Sequence, residues 1–381
     1  MPRLAGCAVW FVVAIGLLGP SVGCLPFPGD SPSSVNVGDR LRAEYVVSDA
    51  EHPAVLALAA DGRVFYGEKN TGRIRVIADG QLVTEPFATV PVNSAGSRGL
   101  LGLTLHPDFD RNRRVYVFYT RSDTGQSTSD PQAVIDNRVV YFEASGNVAG
   151  GGEVFVTSLL AGPASAQLGG RIAFSADGKL LVTIGDLTDS ESAQDAGFLV
   201  GKVLRYNDDG SIPEDNPTPG SPVYALGLRD PQGICVDPES DTPFFIDRSD
   251  GYDEVNRLQP GGNYGWPIVA GKANTSAELE FASAHSEYAD PLSGSSAARL
   301  VGGSFNPSTR YGPDTRLHYF YGEANKRQVM SAELSTNRDR IVKAQRFARE
   351  FPGTITDVAF TPAGTLYVAC ERAIFRVVPY P

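Results

Sequence analysis

The stretch Ile172-Ala173-Phe174-Ser175-Ala176-Asp177-Gly178-Lys179-Leu180-Leu181-Val182-Thr183-Ile184 is two short apolar runs joined by a tight polar turn. A third run, Gly201-Lys202-Val203-Leu204-Arg205, follows and carries a basic residue at its end. Runs of four to six residues bounded by Asp, Gly and Pro read as antiparallel strands, because turn residues supply backbone angles that strands cannot. The same unit recurs in both directions along the chain. Upstream are Val55 to Tyr66 with Gly72-Arg73-Ile74-Arg75-Val76-Ile77, and Leu100 to Asp108 with Val115-Tyr116-Val117-Phe118-Tyr119 and Asn137-Arg138-Val139-Val140-Tyr141. Downstream are Gly233 to Pro238 with Phe244-Phe245-Ile246 and Asp253-Glu254-Val255-Asn256, and a blurred copy from Val301 through Leu317 to Met330. The last runs from Val358 through Gly364 and Leu366-Tyr367-Val368 to Val377.

Six copies of three or four short strands, without a helical stretch of useful length between them, predict an all-β chain. The architecture that fits is a six-bladed β-propeller of four-stranded antiparallel blades, since radial repetition leaves only short edges unpaired. A pair of β-sandwiches accounts less well for six equivalent units. Irregular spacing between turns places long insertions at Ser122–Ala133 and Asn274–Ala297. The extra apolar segment Leu41–Ser48 precedes the first copy and is expected to complete the last blade.

Composition agrees and excludes some functions. The chain has 381 residues, 42% hydrophobic and 20% charged, with Gly 41 and Pro 27 spread along it. Its formal net charge of −11 repels phosphate backbones, so no nucleic-acid partner is expected. The N-terminus stands apart. Leu4 to Leu18 is a 15-residue apolar run after Arg3, short for a membrane span, which needs roughly 20 residues, and typical of an export signal. It ends at Ser21-Val22-Gly23-Cys24, which resembles a bacterial lipoprotein box with Cys24 as the lipidated residue; Ser21 departs from that pattern. The predicted organisation is therefore a signal peptide over residues 1–24, a Pro/Ser/Gly-rich flexible linker over 25–39, and a propeller over 40–381. The mature chain is expected in the periplasm or on the outer membrane as a lipoprotein, touching membrane only through its lipid, or otherwise secreted. With Cys7 and Cys24 in the export segment, Cys235 and Cys370 remain, both in strand-like runs of different blades and expected to be free thiols. No CxxC or Cys/His cluster suggests zinc or haem.

Several stretches together resemble the glucose/sorbosone dehydrogenase family, soluble sugar dehydrogenases that use pyrroloquinoline quinone (PQQ). They are Gly99-Leu100-Leu101-Gly102-Leu103 with His106-Pro107-Asp108-Phe109, Gly169-Gly170-Arg171, and Gly201 to Arg205 with Asp209-Gly210-Ser211-Ile212-Pro213. To these add Leu226-Gly227-Leu228-Arg229-Asp230-Pro231-Gln232-Gly233, Asp253-Glu254-Val255-Asn256 and Gly261-Gly262-Asn263-Tyr264-Gly265-Trp266-Pro267. The resemblance implies a six-bladed propeller, and a PQQ-dependent oxidoreductase acting on the C1 hydroxyl of an aldose.

Residue by residue, what the resemblance implies is mixed. The family's catalytic base, a His four residues before the Arg of Gly-Gly-Arg, falls on Gln167, and an amide cannot accept a hydroxyl proton at neutral pH. The carboxylate that orients that His falls on Asp186. The Arg-Asn pair that contacts PQQ falls on Arg229 and Asp230, so a carboxylate stands near a tricarboxylate cofactor. Two cofactor arginines of the sixth blade fall on Thr354 and Thr356, and the cofactor Lys falls near Asn325, with Lys326 one residue away. The calcium that bridges PQQ takes carbonyls from a stretch reading Asp247-Arg248-Ser249 here. A second calcium position, formed by a Glu and a Tyr carbonyl, matches Glu254 and Tyr264, hard oxygen donors that suit Ca2+. His106 ends a strand before a turn and is expected to be held by backbone rather than to catalyse. Two readings stay open: a PQQ- and calcium-dependent sugar oxidoreductase, or a non-catalytic carbohydrate- or protein-binding propeller of the same family.

Overall fold

The computed structural model describes residues 35–38, 40–162, 164–249, 251–296 and 298–380. Their strands form six antiparallel sheets of four or five strands. The inner strands are Pro53–Leu58, Leu100–Leu105, Gly169–Phe174, Pro231–Val236, Leu300–Phe305 and Ile355–Phe360, of blades 1 to 6 in chain order. A narrow cavity of about 70 Å³ on the axis is lined from all six, by Val55, Leu103, Arg171, Ile234, Gly302 and Asp357 among others. The six-bladed ring predicted from the repeats is the fold observed.

Each blade follows one rule. The sequence alternates large apolar residues with a turn, so the second strand of every blade is almost wholly buried: Val64–Glu68, Leu180–Ile184 and Leu366–Cys370 have no exposed residue. Blades then pack face to face. Phe65 of blade 1 meets Phe109 of blade 2 edge-on at 5.9 Å, and Phe87 of blade 1 meets Phe142 of blade 2 edge-on at 6.2 Å. Burying aromatic faces in this way is the main stabilising term between blades.

Leu41–Val47 pairs antiparallel with Ala373–Pro379, Leu41 opposite Pro379 and Tyr45 opposite Phe375, and so supplies the outer strand of blade 6. The expectation for this segment holds. Two others need adjusting. The end of the stretch expected as a flexible linker is anchored: Val35 and Val37 are buried, and Asn36 exchanges two 2.9 Å backbone bonds with Arg349 of blade 5. The insertion of blade 4 contains a helix, Ser276–Ala284, started by a capping box in which Thr275 and Glu278 serve each other's backbone N–H. The rest of the predicted export segment, with Cys7 and Cys24, lies outside the described residues. Cys235 and Cys370 are free, in blades 4 and 6. Among the described residues no helix is long and apolar enough to cross a membrane.

Candidate functional site

The start of each inner strand, the end of the second strand and the start of the third share one end of the ring, as the register shows in blade 4, where Pro231 faces Asp247 and Asp247 faces Glu254. This upper face gathers Gln167, Asp186, Arg229, Asp230, Glu254, Lys326, Thr354 and Thr356. His106 is on the opposite, lower face. There its Nδ1 accepts the Asp108 N–H at 3.0 Å and its Nε2 is 3.6 Å from Asp208, while burial lowers its pKa. It is a turn histidine, as expected.

Backbone geometry brings the first three residues together. A Cβ on Gly185 would stand 1.9 Å from the Gln167 carbonyl and 2.7 Å from that of Arg229, so this position tolerates no side chain. The Asp186 N–H donates to the Arg229 carbonyl at 2.8 Å and the Leu187 N–H to that of Gln167 at 3.3 Å. Gln167 itself adopts φ 52°, and its Oε1 is buried without a hydrogen-bond partner among the described residues. The Asp186 carboxylate accepts the Thr188 N–H at 2.9 Å and the Trp266 indole N–H at 2.8 Å. Burial raises its pKa against the pull of those two donors. Trp266 also stacks beneath the Arg229 guanidinium, 5.1 Å from its ring centre. Sequence reasoning quoted Trp266 within a motif but assigned it no role; an indole closing on a carboxylate 80 residues away depends on the fold.

Behind this wall, Gln194 donates to Asn263 Oδ1 at 3.0 Å and to the Trp266 carbonyl at 2.7 Å, and Asn263 donates back to Gln194 at 2.8 Å. The loop carrying Gln194 is held by the fully buried Lys202 ammonium, which donates to the carbonyls of Ser192, Ala193 and Val200 at 2.9, 3.0 and 2.7 Å. The amide and indole are therefore set on a rigid support.

Asp230 was expected to stand as a carboxylate near the cofactor, with Arg248 in the stretch whose carbonyls would hold calcium. They satisfy each other instead, through a 2.8 Å ion pair with both side chains largely buried. Asp230 also accepts from Gln232 at 2.8 Å and from the Gly169 N–H at 3.3 Å, tying blade 4 to blade 3. Asp247 lies beneath, accepting the N–H groups of Arg229 and Asp230 at 2.9 and 2.7 Å. Burial, with Glu254 opposite, pushes its pKa well up. On the axis Arg171 is 3.7 Å from Asp357 and donates to the Thr356 carbonyl at 3.1 Å, while Asp357 accepts the Leu56 N–H at 2.8 Å. Neither Arg171 nor Asp357 was singled out in the sequence as a pair; ring closure creates it.

Blades 5 and 6 contribute less. The Thr356 hydroxyl donates to the Pro53 carbonyl at 2.5 Å. Lys326 lies in a turn, half exposed, with its ammonium 3.2 Å from Glu323. The donor set does not fit PQQ: a tricarboxylate needs several uncommitted cations, but Arg248 and Arg171 already hold carboxylates and blade 6 offers threonines. Glu254 differs. It is buried, accepts the Gly271 N–H at 2.6 Å and the Asn256 amide at 3.0 Å, and burial raises its pKa to about 7. The Oδ1 of the fully buried Asn256 lacks a hydrogen-bond partner among the described residues. Tyr264 packs edge-on against Phe245 at 4.8 Å, and its hydroxyl donates to the Arg257 carbonyl at 2.7 Å. Its backbone carbonyl, not its ring, would be the metal donor. A buried carboxylate beside an unpartnered amide oxygen fits a hard cation such as calcium.

A family profile described as Glucose / Sorbosone dehydrogenase matches residues 50–376. This chain belongs to that family. It is 27% identical over 365 residues to the aldose sugar dehydrogenase YliI of Escherichia coli (strain K12), covering 90% of this chain and 92% of that one. The PQQ-bound aldose sugar dehydrogenase of Streptomyces coelicolor superposes with a TM-score of 0.73 at 26% identity, over 92% of this chain and 100% of the other. The mouse Hedgehog-interacting protein is 28% identical over 225 residues, 52% of this chain and about a third (32%) of its own length. The sequence resemblance to glucose/sorbosone dehydrogenases is thereby established, with relatives that are sugar oxidoreductases.

Proposed function

We propose that this chain is an exported recognition propeller that keeps its family's pocket for a small carbohydrate and does not oxidise it. The observation carrying this reading is the buried, unpartnered Gln167 amide oxygen, beside an Asp186 carboxylate already engaged by Trp266 and Thr188. At this position the family places its proton acceptor. An amide can accept a hydrogen bond from a sugar hydroxyl and donate one, but cannot take its proton. A positioned base contributes typically 10²–10⁴-fold to rate, so catalysis fails at its first step. The cofactor's charge partners are missing as well. Trp266, Arg229 and Gln167 offer a stacking face and polar donors and acceptors, which is the chemistry that recognises a polyhydroxylated ring.

Calcium has a structural role in this reading: Glu254 and the Tyr264 carbonyl would hold it and relieve a buried carboxylate. Anchoring through Cys24 would keep the propeller at a membrane surface. The similarity to Hedgehog-interacting protein supports a second reading, in which the same face binds a protein partner.

Trp266 is one of two tryptophans, the other being Trp10 in the export segment, so its fluorescence reports the pocket. Titration with aldoses and disaccharides should give a saturable change that Trp266→Phe abolishes. With PQQ and calcium present, no dye should be reduced at the expense of any of them. Dye reduction by the unmodified chain with glucose would overturn the loss of catalysis; the absence of any saturable sugar response would leave the protein-binding reading in its place.

A further inference from the structure

The outer strands of the blades differ in how they are guarded. An exposed strand edge offers unpaired N–H and C=O groups to any other strand, and proteins blunt it with charge, proline, shortness or cover. Blade 1 ends in pieces of two residues, Gln81–Leu82 and Ala88–Thr89, and blade 4 in three, Ser293–Ser295. Blade 6 ends in Leu41–Val47, which carries Arg42 and Glu44, and blade 5 in Ile341–Arg349, which carries Lys343, Arg346 and Arg349. Blade 3 ends in Val223–Leu226, covered by bonds from Leu226 to Gly262 and from Gly261 to Tyr224. Blade 2 ends in Val154–Leu160, Val-Phe-Val-Thr-Ser-Leu-Leu, seven residues without charge, proline or glycine.

That strand pairs with Asp136–Ser145 on one side, from Val154 opposite Tyr141 to Leu160 opposite Asp136. Among the described residues no backbone bond reaches it from another element. Its inward side chains, Val156 and Leu159, are buried in the core between blades 2 and 3, so the strand is fixed in place. Its outward ones are not: Leu160 is 81% exposed and Phe155 55%, with Ile135 and Val154 beside them. The flanking charges cancel locally, since Arg138 contacts both Asp136 and Glu153 at 3.3 Å and Arg121 pairs with Asp136 at 2.9 Å.

We infer that Val154–Leu160 is the contact through which two copies of this chain associate, edge to edge and antiparallel, about a twofold axis near Thr157 and Ser158. A twofold axis brings each residue close to its own copy, so a charge near it would repel itself; this strand has none. Pairing would satisfy the open N–H and C=O groups of both copies. It would also join Phe155, Leu160, Val154 and Ile135 of each into one covered apolar patch on the outer face. The rest of the surface opposes approach, because each chain carries a net charge of −11. Association is therefore strengthened by salt, the reverse of a contact made by opposite charges. The contact area of one strand pair falls at the small end of specific interfaces, so the dimer is a reversible one.

Sedimentation velocity of the purified full chain over a concentration series, at low and high sodium chloride, tests this. A monomer–dimer equilibrium that tightens with salt is expected. Ser158→Lys and Leu160→Lys should each weaken it at least tenfold, with unchanged circular dichroism and melting temperature. Val342→Lys, on the exposed outer strand of blade 5, should leave it unaltered. A chain that stays monomeric at every concentration and salt overturns the inference and leaves the patch to another kind of partner. A dimer that survives both lysine substitutions overturns it equally.

Discussion

On the rim of blades 3 and 4 nearly every polar group has a partner from another segment: Asp186 with Trp266, Asp230 with Arg248, Gln194 with Asn263. On the rim of blades 5 and 6 the corresponding positions face away or stop short, Lys326 toward Glu323 and Thr356 toward the Pro53 carbonyl. One half of this rim is a built wall and the other is ordinary turn surface. On the reading proposed above, a family site loses its chemistry without losing its scaffold. Side chains on the built half have found each other, so their charges no longer wait for a ligand.

The largest effect is expected from rebuilding the poor half. Gln167→His alone should give no sugar dehydrogenase activity, because blade 6 still presents Thr354 and Thr356 where the cofactor's anionic groups need cations. Adding Thr354→Arg and Thr356→Arg should raise PQQ affinity by about 10²–10⁴-fold, as two charge-assisted contacts of about 1.5–3 kcal/mol each imply. An absorbance titration measures it. An unchanged affinity would mean that the halves differ in shape and not only in charge.

Next in size is the tie between the halves, Arg171 to Asp357 across the axis. Asp357→Ala leaves a buried guanidinium without its counter-charge and should cost about 3–5 kcal/mol in urea unfolding. Arg171→Met together with Asp357→Asn removes both charges and keeps an acceptor for a backbone N–H, and should cost much less. Equal losses in the two variants would show that packing, not charge, holds the halves together.

The smallest effect concerns the wall itself. In the folded chain burial raises the Asp186 pKa, whereas the unfolded chain ionises near the ordinary value of 3.8. Between these two values the folded state binds more protons, so stability falls as pH rises through that window and is level above it. Asp186→Asn should flatten that slope in melting temperatures measured upward from about pH 4. A slope unchanged by the substitution would assign it to another carboxyl, with the buried Asp247 first in line.

Much of the fold was legible because it is written in local terms. Strand, turn and strand recur in the order of the chain, and each blade is made from neighbours in sequence. The closing strand Leu41–Val47 could be read because an apolar run lay outside six complete units. The helix Ser276–Ala284 was missed although Thr275 and Glu278 have the spacing of a capping box; it buries no residue, so no apolar stripe marked it. The site was legible as positions but not as partners. Gln167, Asp186, Arg229 and Asp230 follow from the resemblance to the family. The ion pairs Asp230–Arg248 and Arg171–Asp357 follow only from which strand ends the ring brings together. Reading Asp230 singly as an unfavourable charge therefore missed that Arg248 neutralises it.

The outer strand of blade 6 precedes blade 1 in the chain, and its other three strands follow blade 5. During synthesis, Leu41–Val47 emerges before the first five blades, while its partner Ala373–Pro379 emerges after them. Blades 1 to 5 can each form as their own strands appear, yet the circle stays open, with one seam unsealed, until Ala373–Pro379 arrives. Whatever holds the chain in the meantime must tolerate an open-ended stack of sheets. Closing the ring is a clasp fastened by two strands that five blades separate in sequence, and removing either should undo the same blade.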